Sequence, residues 1–384
     1  MFVLASRFYG LQSETFVVAH AERIAPGRTA LLTYDPEPPS NFDGPVIYDL
    51  GGHPTVVDAT GTVVRRSFLP LGRLAWGRRR EIAAGLRKIG ARCVMAEFGG
   101  MGVEIMKGAQ QADVPLFVHF HGYDATSHLR FPKIVRSYRR LFQNCTGIFT
   151  PSQFIADKLI GIGCPPDIIR VAACGVNMDS FPPSSRIPGR CLAVGRLVDK
   201  KAPLKTLAAF LEAAGNHPEA RLDLVGDGPL MAACRELAAT SPQGSQVTFH
   251  GNQPHEKVRE LMRTASVFLQ HSVTAPNGDC EGLPVAILEA MCSELSVVST
   301  RHSGIPEAVE EGVSGLLVDE GDTAAMTAAL GRVLDDPEFG KALGRAARLR
   351  VQDRFTIERT SAILRDGMNL PDIAGSGTTE KLTR

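Results

Sequence analysis

The sequence predicts an α/β protein of two domains, each built on a parallel sheet with helices on both faces. Three observations carry this. Short apolar runs of buried-strand type alternate with helical stretches along most of the chain, as parallel sheets require. At 384 residues the chain is long for a single hydrophobic core. One segment near the middle, Phe181-Pro-Pro-Ser-Ser-Arg-Ile-Pro-Gly189, is dense in turn formers and interrupts the alternation.

In chain order, residues 2–8 read as a first strand, 10–15 as a polar loop, and 16–24 as a helix. Ser13 and Glu14 lie in that strand-to-helix loop, where they either meet a ligand or cap the helix. Further strands are expected near 29–33, 45–50 and 62–69. A basic, partly amphipathic stretch covers 65–88, with Arg78, Arg79 and Arg80 consecutive and Trp76 close by; a second basic run covers 130–140. Such helices rest on anionic membrane or present a solvated face. Residues 92–98 and 115–120 are apolar strand runs, and the second exits into His119-Phe-His121-Gly-Tyr-Asp124. Ligands bind at strand ends in open α/β sheets. A histidine there can hydrogen-bond a substrate hydroxyl or polarise a carbonyl, which fits His121. Two histidines two apart also suit a metal, but the sequence offers no obvious third ligand. A strand at 168–173 precedes the linker. The second series has strands near 190–195, 221–226, 246–250, 266–270, 296–300 and 314–318. A long charged helix is expected at 337–368, and the small, polar tail after 371 is expected to be flexible.

Composition narrows the function. Net charge is +1, so nothing in it points to nucleic acid as a partner. Residues 1–185 hold 20 Lys+Arg against 15 Asp+Glu, and the remainder 22 against 26, so the first half is mildly basic. The eight cysteines show no Cys-x-x-Cys and lie mostly in apolar stretches, as reduced core thiols of the cytoplasm do. The first residues lack a basic lead and cleavage site, and no apolar run reaches transmembrane length. No Gly-x-Gly-x-x-Gly follows a strand, which argues against a nicotinamide dehydrogenase.

The chemistry concentrates in residues 279–291, Asp-Cys-Glu-Gly-Leu-Pro-Val-Ala-Ile-Leu-Glu-Ala-Met. Glu281 and Glu289 stand eight apart, separated by a Gly-Leu-Pro loop that feeds a helix with proline in its first turn. A helix start offers free N–H donors and a positive dipole end, a place for a diphosphate. Glu281 would repel phosphate, so it suits hydroxyls or developing positive charge; Glu289 suits a second polyol. Hexose, diphosphate, ribose is the layout of a nucleotide sugar. The alternative is an acid-capped amphipathic helix. Gly195-Arg196 with Lys201 ends the first strand of the second series and makes a cationic clamp at the same edge. Asp227 in Val225-Gly-Asp-Gly-Pro229 lies at the cleft rim, and Gly251 and Asn252 could lie under a nucleotide base.

These segments, together with Ser13-Glu-Thr-Phe16, His121-Gly-Tyr-Asp124 and Gly175-Val-Asn-Met-Asp179, resemble family-4 glycosyltransferases over roughly residues 2–360, most closely the bacterial exopolysaccharide branch of colanic-acid type. The resemblance implies the retaining GT-B fold: two Rossmann-like domains facing across a cleft, with a C-terminal helix crossing back to the first. It sets an acceptor domain at 1–185, a nucleotide-sugar domain at 186–350, the crossover at 351–370 and a tail at 371–384. Arg196 and Lys201 would neutralise the diphosphate. Glu281 would face the transferred hexose, with backbone N–H groups of Gly282 and Leu283 beside it. Glu289 would bind the ribose, and His121 would meet the hexose from the acceptor side. Ser13, Glu14 and Asp124 would contact substrate. Where the family commonly has lysine-glycine after the arginine, this chain has Lys201-Ala202, and Gln12-Ser13-Glu14 replaces a glycine-rich loop. No cofactor and no metal are expected, since no Asp-x-Asp is present. The expected partners are a nucleotide-sugar donor, UDP before GDP, and a saccharide or lipid-linked acceptor, reached at the inner face of an anionic membrane. A nucleotide-sugar epimerase or sugar-phosphate synthase, and an idle sugar-nucleotide-binding partner, are the competing functions.

Overall fold

A computed structural model describes residues 1–10, 14–33, 42, 44–48, 56–57, 63–64 and 71–371. Ser13, most of the strand expected at 62–69, residues 65–70 and the tail from 372 lie outside the described residues. The first sheet has seven strands in the order Val46–Tyr48, Thr29–Thr33, Phe2–Ser6, Cys93–Glu97, Leu116–His119, Gly147–Thr150, Ile169–Val171, all parallel. The second has six parallel strands in the order Val247–Gly251, Arg221–Val225, Arg190–Val194, Val267–Leu269, Ser296–Thr300, Leu316–Val318. Both are doubly wound Rossmann-like sheets. In each, chain order reverses beside the first strand, which opens a crevice at the carboxyl ends. Phe2–Ser6 next to Cys93–Glu97 makes one crevice, and Arg190–Val194 next to Val267–Leu269 makes the other.

Strand residues such as Val3, Leu4, Val94 and Val118 in the first sheet, and Leu192, Phe268 and Val297 in the second, are fully buried, because helices cover both faces. All eight cysteines are free thiols, and all but Cys145 are buried. No described helix is long and apolar enough to cross a membrane.

The long final helix expected at 337–368 is two helices, Pro337–Arg354 and Ile357–Gly367. The break has a local cause. The Phe355 carbonyl accepts from Val176 N at 2.8 Å and Ile357 N donates to the Val176 carbonyl at 3.1 Å, which draws the backbone into an extended pairing. Thr356 then caps the next helix through Arg359 N. Gly175 permits this crossing, since a Cβ there would sit 2.3 Å from the Thr356 carbonyl. The last helix packs on the first domain, where Leu364 and Met368 join the core of Phe2, Leu4, Val17 and Phe149.

Candidate active site

The second domain supplies a charged wall. Its first strand ends at Gly195, whose φ of +150° and missing side chain let Lys201 lie across the strand end; a Cβ would meet Lys201 Cδ at 2.8 Å. Lys201 Nζ stands 3.1 Å from Glu281 Oε1. Glu281 is buried, and burial opposes its charge, but Lys201 and Lys200 outweigh that and hold the carboxyl below its usual range. A pocket lined by Gly195, Arg196, Leu197, Lys201, Thr206 and Gln270 opens here, with Arg196 exposed at its edge.

The Glu281 loop is held on several sides. Glu281 N donates to His302 Nε2 at 3.1 Å, which puts the ring proton on Nδ1, 2.5 Å from Glu320 Oε1. Glu320 also accepts from Thr274 N at 2.8 Å. The Gly282 carbonyl accepts from Gly304 N at 3.0 Å, and the hydroxyl of Ser303, itself at φ +51°, donates to the Glu281 carbonyl. Lys200 was not singled out in the sequence; it is buried and donates to Asp279 Oδ1 at 3.1 Å and the Cys280 carbonyl at 3.4 Å. Leu283 is buried in the core beneath. The helix runs Val285–Cys292, so Pro284 is its N-cap residue rather than part of its first turn, and no side chain caps the start. Glu289 is buried, and its Oε1 lies 2.9 Å from His255 Nε2, another partner the sequence did not reveal. Asp227 is exposed, with Oδ1 accepting from Gly228 N at 2.7 Å and its carbonyl accepting from Leu197 N at 2.9 Å. Gly251 accepts from Gly226 N at 2.8 Å beside the exposed Asn252, so these residues share the edge that carries Arg196.

The first domain supplies a different wall. Glu97, at the end of its strand, has no exposed surface. Its Oε1 is 2.7 Å from His20 Nδ1 and its Oε2 2.9 Å from His121 Nε2. Burial opposes its charge, but the charge of His20 and the bonds from His121 and His20 overcome this and drive the carboxyl far below its usual range. His121 is likewise buried against its charge, yet Cys174 and Glu97 push it up to about 10, so it is an imidazolium at neutral pH. Its ring lies between Phe16 and Phe98, with centroids 4.3 and 4.6 Å away. Phe98 takes φ +68°, a strained conformation for a non-glycine residue. His121 therefore sits at the strand exit as expected, but its Nε2 turns inward to Glu97. Asp124, expected to touch substrate, is buried instead. It accepts from Gly99 N at 2.6 Å and His121 N at 2.8 Å, so both oxygens shape the loop. Glu14 is partly buried, which raises its pKa against the pull of His121 and of Arg196 across the cleft.

The two walls touch. Cys280 N donates to Thr126 Oγ1 at 3.1 Å, and Gln153 N and Phe154 N donate to Glu307 at 2.8 and 3.0 Å. Gly122 faces the acidic loop so closely that a Cβ would stand 2.5 Å from the Cys280 carbonyl and 2.8 Å from Gly282 N.

Residues 187–350 match the family described as Glycosyl transferases group 1, and residues 30–180 match Glycosyltransferase Family 4. The amylovoran biosynthesis glycosyltransferase AmsK of Erwinia amylovora is 32% identical over 71% of this chain and 69% of its own length. The chain belongs to glycosyltransferase family 4. WcaL of Salmonella typhimurium, named for colanic acid biosynthesis, is 33% identical over 67% of the chain; the match spans 66% of that protein's length. Both names come from the exopolysaccharide branch that the sequence resembles. In fold, this family-4 glycosyltransferase superposes on the Anabaena protein HepE, solved with UDP, at a TM-score of 0.76 and 16% identity, covering 96% of this chain and 99% of that one. The GT-B fold is thereby shown.

Proposed function

We propose that this glycosyltransferase moves a hexose from a nucleotide diphosphate sugar to a hydroxyl of a saccharide or lipid-linked saccharide, with retention and without a metal. The observation that carries the proposal is the convergence of Arg196, Lys201 and Glu281 at one strand edge, beside an uncapped helix start that leads to Glu289. The diphosphate meets Arg196, Lys201 and the helix N–H groups, fixed positive charge in place of a metal. Glu281, held ionised by two lysines, faces the anomeric centre as it gains oxocarbenium character. Glu289, with one oxygen on His255, receives the ribose hydroxyls. In a front-face attack the bond from anomeric carbon to diphosphate oxygen breaks as the acceptor oxygen bonds to that carbon, and the acceptor proton passes to the departing diphosphate. His121, cationic and almost wholly buried at the opposite wall, meets the hexose from the acceptor side.

UDP is the first base to try, because the Anabaena HepE structures of like fold hold UDP and UDP-glucose. GDP is next, since a relative from Mycolicibacterium smegmatis, 27% identical, is named as GDP-mannose-dependent. The deciding experiment is nucleotide release from UDP- and GDP-hexoses in chelator, with and without a saccharide acceptor. Acceptor-dependent release supports transfer. A sugar converted with no nucleotide released would favour an epimerase, and donor binding with no turnover an idle binder. The basic helices Leu71–Lys88 and Pro132–Phe142 are the surfaces we assign to anionic membrane. Vesicle binding that persists after Lys133, Arg136 and Arg140 are neutralised would remove the second of these.

A further inference from the structure

Five side chains able to ligate a metal meet beneath the cleft floor, and the transfer chemistry uses only one of them. Ligating atoms of His119, His121 and Cys174 lie within 4.8 Å of one another, and so do those of His20, Glu97 and His119; all are buried. Zinc bonds of about 2.0 Å to nitrogen and 2.3 Å to sulfur set tetrahedral ligands about 3.5 Å apart, so the first trio needs at most a small closure to hold one. His119 calls for a partner. It is fully buried, and neither ring nitrogen has a hydrogen bond. Glu97 Oε2 is 3.7 Å from its Nδ1, and the Ala172 carbonyl lies beside it without reaching hydrogen-bond geometry. A buried polar group in that state is unfavourable, and a bound cation would relieve it. The support is also built. His121 Nε2 engages Glu97, so a cation would take Nδ1 by displacing its proton, and His20 pins the other Glu97 oxygen. A carboxylate behind a ligating imidazole is the usual arrangement at histidine–zinc sites.

We propose that His119, His121 and Cys174 form an inhibitory site for one divalent cation of the zinc class. Two imidazoles and a thiolate select zinc, or cobalt as its probe, over magnesium or calcium. Occupation fixes His121 as a neutral ligand and withdraws it from the sugar; this consequence rests on the role proposed above for His121. Catalysis without a metal and silencing by one are then compatible in a single pocket.

The test is titration of chelator-treated, full-length protein with cobalt(II). One equivalent should produce a thiolate-to-cobalt charge-transfer band in the near ultraviolet with tetrahedral visible bands, both displaced by zinc. Cys174→Ser should lose the charge-transfer band, while Cys292→Ser keeps it. One equivalent of zinc should cut acceptor-dependent nucleotide release at least tenfold, reversibly by chelator. No band in the unmodified protein, a band that survives Cys174→Ser, or undiminished turnover with cobalt bound would each overturn the proposal. The unmodified protein decides the spectroscopy even if a variant fails to fold. Absence of any release in chelator would count against the transferase assignment, and the cobalt spectrum would still decide the site.

Discussion

The two walls of the cleft are built on the same kind of sheet but hold charge in opposite ways. The second domain pairs each buried carboxylate with a partly exposed base, Lys201 with Glu281 and His255 with Glu289, so a ligand can displace a partner and take its place. The first domain seals its charge: Glu97 has no exposure and ties together His20 and His121 from two other segments. The difference separates a wall made for exchange from a wall made for fixity. Contacts of the second domain's wall should affect binding and turnover more than folding, and contacts of the first domain's wall should affect both.

The largest effect should come from Glu281→Ala or Arg196→Ala. Each removes a charge that the proposed mechanism sets at the reacting centre, and turnover should fall on the order of 10²–10³-fold or more, with the melting temperature nearly unchanged. Nucleotide release measured beside a thermal melt checks this; full activity in either variant ends the assignment. Next, Glu97→Ala should destabilise the protein by about 3–5 kcal/mol, since it strands buried imidazoles. Urea unfolding reads this directly, and a loss confined to turnover would mean the sealed wall is not structural.

A pH profile sharpens the contrast. The Glu281 carboxyl is held below its usual range, so its contribution is present above the unfolded-state pKa and disappears only as pH falls through the lower folded value. Donor binding should therefore persist to mildly acid pH. In Lys201→Ala Lys200 is the one lysine left to oppose burial, and the acid limb should move upward; an unmoved limb would show that Lys201 does not set the ionisation. The smallest effect belongs to His255→Ala. Loss of one hydrogen bond to Glu289 is worth about 1 kcal/mol, a several-fold rise in KM for donor with kcat preserved.

The same contrast governs what could be read from the chain alone. Every strand of the second sheet was placed from its apolar run, and Arg196, Lys201, Glu281 and Glu289 fall within two short motifs that the fold then brings together. Local spacing suffices where strand-end loops carry the chemistry. His255 and Lys200 were missed because each meets its partner from a separate segment, 34 and 79 residues away. The first wall was harder still. His20, Glu97, His121 and Cys174 come from four segments, and no spacing rule links them. Asp124 looked like a ligand contact because it follows His121, but its side chain closes the turn it sits in. The single long helix at 337–368 failed for the same reason, because the bond pair between Val176 and residues 355 and 357 is set by tertiary contact.

That crossing at Val176 has a consequence for biosynthesis. The helix Ile357–Gly367 seals the core around Phe2, Leu4 and Val17, so the domain translated first is the domain completed last. Emerging chains must carry an open apolar face while the whole second domain is made, although domains usually fold in the order they leave the ribosome. A stop codon placed before residue 357 should yield a chain whose second sheet is intact and whose first, synthesised long before, is the part that aggregates.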